Sequence, residues 1–263
     1  MPAVAAAQAD DDLLHPALTS KFTVDVGVFF PDRELDVVVR GNASSRDRQI
    51  DFYENLNLNS TEEIFATELA WRFGERWSFL AQYFRSSDTN VAELEEDVFF
   101  GDIVFNAGSN VVGGAELQLT RMFFGRKFDM RPRHDLGVGG GIHWLTLRNF
   151  IEGNIIINDV PTFTRRSVSA EAPLPNIGAW YRYSISPKWA FRSRFDLFSA
   201  NIDAYSGVLI NASAGLNYQL FEHVGVGLSY NYFELDVRVD KSDWRGSYET
   251  IYNGAYVYLS AFF

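Results

Sequence analysis

The stretch Val208-Leu-Ile-Asn-Ala-Ser-Ala-Gly-Leu-Asn-Tyr-Gln-Leu220 decides the fold. Val208, Ile210, Ala212, Ala214, Leu216, Tyr218 and Leu220 are apolar, whereas Asn211, Ser213, Gly215, Asn217 and Gln219 between them are small or polar. A period of two puts these sets on opposite faces of a β-strand. The pattern resumes beyond Phe221-Glu-His223, with Val224, Val226, Leu228, Tyr230 and Tyr232 against Gly225, Gly227, Ser229 and Asn231. Near the start, Phe22, Val24, Val26, Val28 and Phe30 alternate with Thr23, Asp25 and Gly27. Trp189, Phe191, Phe195 and Leu197 oppose Arg192, Arg194 and Asp196. The last strand carries Ala255, Val257, Leu259, Ala261 and Phe263 on one face.

A soluble barrel or sandwich would also alternate, but its water-facing side would carry long charged residues. Here the polar face is rich in Gly, Ser and Asn, which suits the inside of a narrow barrel. The greasy face therefore meets lipid. No stretch approaches the run of about 18 apolar residues that a membrane-crossing helix needs, so crossing falls to strands. The expected fold is all-β: a transmembrane antiparallel up-and-down β-barrel in a bacterial outer membrane.

Short polar connections at Gly74-Glu-Arg76, Ser186-Pro-Lys188 and Phe221-Glu-His223 are flanked by Trp71, Phe73, Trp77, Tyr183, Trp189 and Tyr218. Aromatic rings favour the bilayer interface, so these turns align at one face, the periplasmic one. The connections 41–48, 87–110, 149–175 and 239–247 are longer and read as extracellular loops. Ten strands follow, at 20–40, 48–73, 77–90, 111–125, 135–149, 174–185, 188–204, 206–220, 223–239 and 247–263. Phe30 and Leu35 lie on opposite registers, as do Leu58 and Phe65, which reads as a bulge or bend in each of the first two strands. If these are true turns, the count becomes twelve.

One domain accounts for 263 residues: a tail over 1–19 and a barrel over 20–263. Ala7-Gln-Ala9 fits a signal-peptide cleavage site, and Asp10, Asp11 and Asp12 fit the mature start after it. The absence of cysteine removes disulfides and thiolate chemistry, and a net charge of −11 argues against nucleic acid, whose phosphates need clustered cations.

The segments Phe22-Thr-Val-Asp-Val-Gly-Val-Phe-Phe30, Ile50-Asp-Phe-Tyr-Glu-Asn-Leu-Asn-Leu58, Ala70-Trp-Arg-Phe73 with Trp77, Ala172-Pro-Leu-Pro175 and Leu220-Phe-Glu-His-Val-Gly-Val-Gly-Leu-Ser-Tyr230 resemble an uncharacterised family of small proteobacterial outer-membrane β-barrel proteins. The resemblance runs from Lys21 nearly to the end, with Asn57 where that family commonly has glycine. The ending Tyr-Leu-Ser-Ala-Phe-Phe263 resembles the C-terminal signal of outer-membrane assembly. The resemblance implies fold and location and brings no catalytic residues.

Candidate chemistry is sparse. Of four histidines, only His143 falls on an inward register, with Glu116 or Gln118 expected on one side and Asn176 or Arg182 on the other. No serine stands ready for a Ser–His pair, and no second His or carboxylate stands at metal-ligand spacing. Glu68, Arg72, Glu116, His143, Arg182, Arg192, Arg194 and Asp196 are the expected lumen-lining residues. They read either as a pore lining or as an ion-pair network that fills the lumen. The acidic run Glu93-Leu-Glu-Glu-Asp97 reads as a solvated loop, with cation bridging as the alternative. Ile155-Ile-Ile157 and Phe163 are too apolar for a fully exposed loop.

The expected function is an integral outer-membrane barrel of structural or narrow-channel type, its lumen largely filled, with no enzymatic activity, cofactor or metal. Outer-membrane lipids, lipopolysaccharide and the assembly machinery are the expected partners. The alternatives are a small-solute or hydrophobic-ligand channel, and a membrane-embedded hydrolase or acyltransferase using His143.

Overall fold

Alternating, β-branched and aromatic-rich segments bounded by tight turns form strands that can satisfy their backbone only by closing on themselves in lipid. The computed structural model describes residues 14–40, 50–51, 55–56, 58, 63–100, 103–128, 131–157, 160–202, 205–240 and 245–263. The strands are β1 (Phe22–Arg40), β2 (Ile50–Asp51), β3 (Ile64–Phe73), β4 (Trp77–Glu93), β5 (Val98–Phe100), β6 (Ile103–Phe105), β7 (Asn110–Lys127), β8 (His134–Ile157), β9 (Val160–Ser186), β10 (Trp189–Ile202), β11 (Tyr205–Phe221), β12 (Val224–Asp240) and β13 (Arg245–Phe262). β1, β3, β4 and β7 to β13 pair in sequence order, each antiparallel to the next. β13 returns to β1 from Thr23↔Phe262 to Arg40↔Arg245 and closes a ten-stranded barrel.

The turns at 74–76, 187–188 and 222–223 lie where the sequence puts them, at the end of the barrel that also holds Phe263. Gly74 adopts φ 64°, a left-handed conformation that favours glycine in so short a turn. Above this end a belt of exposed apolar residues circles the wall, including Ile142, Leu228, Val257 and Leu259. Trp71, Phe73, Phe124 and Trp77 stack in series at its lower edge, with centroids 5.0–5.5 Å apart. Rings at the margin of an apolar belt are the mark of a wall seated in a bilayer.

Strand lengths differ most from the sequence reading in two places, and the loop expected at 87–110 also holds the end of β4 and the β5–β6 hairpin. The loop expected at 149–175 is a long hairpin, because β8 and β9 stay paired up to Ile157↔Val160. The strand expected at 48–73 is interrupted. β2 pairs with Asp36 and Val37 of β1, and β3 begins only at Ile64, opposite Phe29. Between them the buried Leu56 and Leu58 leave the sheet. Leu56 packs on Gly113 of β7, where any Cβ would stand 2.6 Å from its Cδ1.

The bulge expected at Pro31-Asp32 is absent, since β1 and β13 stay in unbroken register there. What changes is the environment. Phe22, Val26 and Phe30 point outward and are exposed, while Leu35 and Val37, of opposite parity, point inward and are buried. β1 leaves the lipid near Phe30. Beyond it water lies outside, and the apolar residues turn to the interior.

The lumen thus has two layers. The one away from the turns is a large apolar cluster that includes Leu35, Leu56, Phe84, Leu117, Leu145, Phe233 and Tyr252. Phe84, Phe233 and Tyr252 meet across it with centroids 6.0–6.3 Å apart. The hairpin β5–β6 closes over the cluster, burying Val98, Phe100 and Phe105. The acidic run beside it leaves its carboxylate residues exposed while Leu94 points inward. The layer nearer the turns is polar.

Candidate functional site

The polar layer is built by inward positions of β1, β3, β4, β7 to β11 and β13. Arg192 of β10 donates from Nη1 to Asp25 Oδ2 at 2.7 Å and from Nη2 to Glu68 Oε1 at 3.1 Å. Arg194 takes the other Glu68 oxygen at 2.7 Å and reaches Gln82 Oε1 at 2.8 Å. Arg121 of β7 donates to Asp196 Oδ1 at 2.8 Å, and both side chains are wholly buried. Gly178 makes room for this pair, because a Cβ there would stand 2.1 Å from Asp196 Oδ1. Asp25 also accepts from Ser260 at 2.6 Å, and Ser260 accepts from Asn217 at 2.8 Å.

Nearer the turns, Asp135 collects Arg72 at 3.3 Å, Arg182 at 3.5 Å and the indole N–H of Trp180 at 3.0 Å. The Trp180 ring lies against Gly125 and Gly137, where side chains would collide with it. Five guanidiniums, of Arg72, Arg121, Arg182, Arg192 and Arg194, thus interlock with four carboxylates, of Asp25, Glu68, Asp135 and Asp196. In a low-dielectric interior such charges persist only when paired, and each of these has an opposite charge within 3.5 Å. A small cavity of about 60 Å³ remains among Asp25, Glu68, Arg182, Arg192 and Arg194.

The mouth at the turn end is stoppered by the tail. The short helix α1 (Pro16–Thr19) buries Ala17 and Leu18 against Ala190 and Phe262. Arg72 holds it by donating to the carbonyls of Leu18 and of Ala17, the latter at 3.1 Å. His15 is buried beside it. Its backbone N–H donates to Ser184 Oγ at 2.9 Å, its Nδ1 accepts from Ala17 N at 3.1 Å, and Phe262 packs edge-on at 5.7 Å. Burial, and then the Arg192 charge, lower the His15 pKa from 6.5 to about 4, so it docks as a neutral ring. The boundary expected at residue 19 is therefore no boundary in space, since His15, Ala17 and Leu18 pack into the barrel.

Of the expected lumen residues, Glu68, Arg72, His143, Arg182, Arg192, Arg194 and Asp196 lie on inward positions. Glu116 does not. β7 buries Val111, Leu117, Leu119, Arg121 and Phe123 on one parity, and Glu116 stands on the other. It bonds Arg85 at 2.9 Å on the outer wall. Its strand at that height is in water outside and apolar inside, so the polar residue faces out. The residue registered beside His143 on β7 is Arg121. His143 is wholly buried, with Asn211 Nδ2 3.4 Å from its Nε2 and no partner at Nδ1 among the described residues.

Asp25, Gln82, Arg121 and Asp135 belong to the network although sequence reasoning did not assemble them there. Asp25 carried a signal, as the single acid in the clean inward register of β1. Arg121 carried none, because Leu117, Leu119 and Phe123 around it make the inward face of β7 look lipid-facing. Ile155 belongs to the buried apolar cluster, and Phe163 is exposed. The side chains of Ile156 and Ile157, residues 1–13 with the expected cleavage site, and Asn57 lie outside the described residues. Among the described residues no three His, Asp or Glu side chains are grouped to hold a metal ion.

No protein-family model matches the chain, and no curated protein matches its sequence. Solved structures do match. The outer membrane protease OmpT from Escherichia coli aligns with 92% of this chain and 96% of its own, at 11% identity and a TM-score of 0.62. The toluene transporter TodX of Pseudomonas putida aligns over 95% and 92% at 9% identity, with a TM-score of 0.37. The attachment invasion locus protein Ail of Yersinia pestis aligns over 91% and 98% at 10% identity, with a TM-score of 0.32. At such identity the likeness to OmpT concerns architecture alone, and with the lipid-facing belt it makes this chain an outer-membrane β-barrel.

Proposed function

We propose that this barrel is a non-conducting outer-membrane protein of the structural type, a member of the small proteobacterial family its motifs resemble. Its working surface is then the folded mass beyond the bilayer. One observation carries the reading: among the described residues the lumen is occupied by the docked tail, the ion-pair network, the apolar cluster and the β5–β6 hairpin. The cavity of about 60 Å³ in the network has room for a few waters and no more. Ten strands enclose little free space once large side chains are packed inside. Purified barrel in a planar lipid bilayer is expected to give no stepwise current at 100 mV, and resolved single-channel steps would overturn the reading.

His143 gives a hydrolase little support, since its nearest polar neighbours are amides and guanidiniums rather than a hydroxyl or carboxylate. One observation favours a path for hydrophobic ligands. β9 pairs with β10 only from Ile177↔Leu197 toward the turn end. Just above that point Pro173 and Pro175 have no N–H to offer a further strand. The inward residues Val168, Ala170, Ala172 and Phe198 beside the seam pack on the apolar cluster. Saturable binding of a fluorescent long-chain amphiphile to barrel in nanodiscs is the outcome this second reading requires.

A further inference from the structure

The outer wall of β4, β7, β8 and β9 carries a feature that neither the lumen nor the belt explains. Tyr83 and Trp144 end the apolar belt in this sector, and Trp144 donates its indole N–H to Glu171 at 2.8 Å. Immediately above, where a bilayer's headgroups lie, the wall is hollowed into a groove of about 420 Å³ lined by Arg148, Arg165, Phe150, Glu116, Asp88 and serines, with Asp88 held from the inside by Arg33 at 3.7 Å. That is the size of a small-molecule site.

The groove is built rather than incidental. Phe150 lies across Gly114, where a Cβ would stand 2.2 Å from the ring. The Arg165 guanidinium sits 4.0 Å above the Phe150 centroid and is held by Glu152 at 2.9 Å. On the opposite wall Glu116 is bonded to Arg85. Arg148 stands between these pairs, in register with Glu116 on one side and Ser169 on the other. It is exposed and has no carboxylate partner among the described residues, while Glu116, Glu152 and Glu171 around it are already engaged. Arg148 is thus the guanidinium of the groove that no carboxylate holds, at headgroup height on a protein of net charge −11.

We infer that this groove seats the phosphorylated sugar headgroup of an outer-leaflet glycolipid of the lipid A type. Arg148 takes a phosphate through its paired N–H donors, and the Phe150–Arg165 stack presents a flat face to the sugar. A lipid is the occupant argued for because the groove opens directly over the belt, so a molecule held there can keep its acyl chains against Trp144 and Ile142. The inference is independent of whether the lumen conducts.

The test is native mass spectrometry of the full-length barrel in detergent micelles, titrated with diphosphorylated lipid A, dephosphorylated lipid A or inorganic phosphate. Retention of one diphosphorylated lipid A at concentrations where dephosphorylated lipid A and phosphate are lost is expected. Arg148→Glu should weaken that adduct at least tenfold. Arg238→Glu makes the same charge change on an exposed residue across the barrel and should leave it unchanged. Arg148→Gln serves if the Glu variant loses the heat-modifiable mobility of the folded form, and should weaken the adduct several-fold. Equal retention of the dephosphorylated lipid, equal loss in the Arg148 and Arg238 variants, or binding of free phosphate alone would each overturn the inference.

Discussion

The two halves of the lumen obey opposite rules. Inside the bilayer the wall is apolar outward and polar inward, with Leu228 and Val257 in lipid and Arg192 and Glu68 inside. Beyond the bilayer the same strands are polar outward and apolar inward, with Asp236 and Glu249 outside and Leu235 and Tyr248 buried. The backbone register does not change between them, since β12 and β13 pair without a shift from Val224↔Ala261 to Asp240↔Arg245. Only the outer solvent changes. A strand that crosses from lipid to water must reverse its binary pattern if both ends are to be stable, and the lumen inherits whatever the outside rejects.

The largest break in this comparison comes from removing one charge of the lower layer. Asp196→Ala would leave Arg121 wholly buried without its carboxylate. Its Nε and Nη1 already have no hydrogen-bond partner among the described residues. A loss of about 3–5 kcal/mol is expected in urea unfolding from lipid vesicles. A loss below about 1 kcal/mol would mean that water enters and solvates the network, and the lower layer would then be a wet passage.

The outer surface gives a smaller, position-dependent effect. Val257→Arg, in the belt, should cost about 2–4 kcal/mol in the same measurement. Ser247→Arg, further along the same face of β13, should change stability by less than about 0.5 kcal/mol. Equal costs at the two sites would move the bilayer boundary and dissolve the contrast between the halves.

The smallest effect concerns the docked tail. With a folded pKa lowered to about 4 against 6.5 when released, His15 is neutral in both states above pH 6.5, and docking carries no protonation penalty there. As pH falls from 6.5 toward 4, the released tail binds a proton that the docked tail refuses, so docking weakens across that window and changes no further below it. Hydrogen exchange at residues 15–19 should therefore be faster at pH 4.5 than at pH 7.5, after correction for intrinsic rates. The difference should vanish in His15→Gln. Protection that ignores pH would show that the Arg72 contacts alone hold the helix.

How much of this was legible in the sequence follows from the same reversal. Where lipid lies outside, reading the apolar face as the outer one placed Val208 to Leu220, Val224 to Tyr232 and Ala255 to Phe263 as the structure has them. Above the belt the identical rule failed. It turned the parity change at Leu35 into a bulge and put Glu116 in the lumen beside His143. The long β8–β9 hairpin was missed for a related reason, since Pro161, Pro173 and Pro175 with several serines have the composition of a loop. Prolines on a strand that lacks a second partner are nevertheless compatible with pairing on one side. The ion-pair network was half visible, because Arg192, Arg194 and Asp196 alternate openly along β10. Its partners Arg121 and Asp135 sit among leucines and glycines with no comparable rhythm.

What the sequence determined alone is the barrel, its strand directions and its lower belt, because a two-residue period and tight aromatic-edged turns are local properties of the chain. Phe263 closes a register that could be followed residue by residue. What only the tertiary structure decided is the filling. Which charge meets which, that the tail enters the mouth, and that Leu56 and Phe105 cap the far end all depend on side chains from strands distant in sequence. Closure of β13 on β1 brings those strands around one narrow axis, and no local pattern encodes who stands opposite whom.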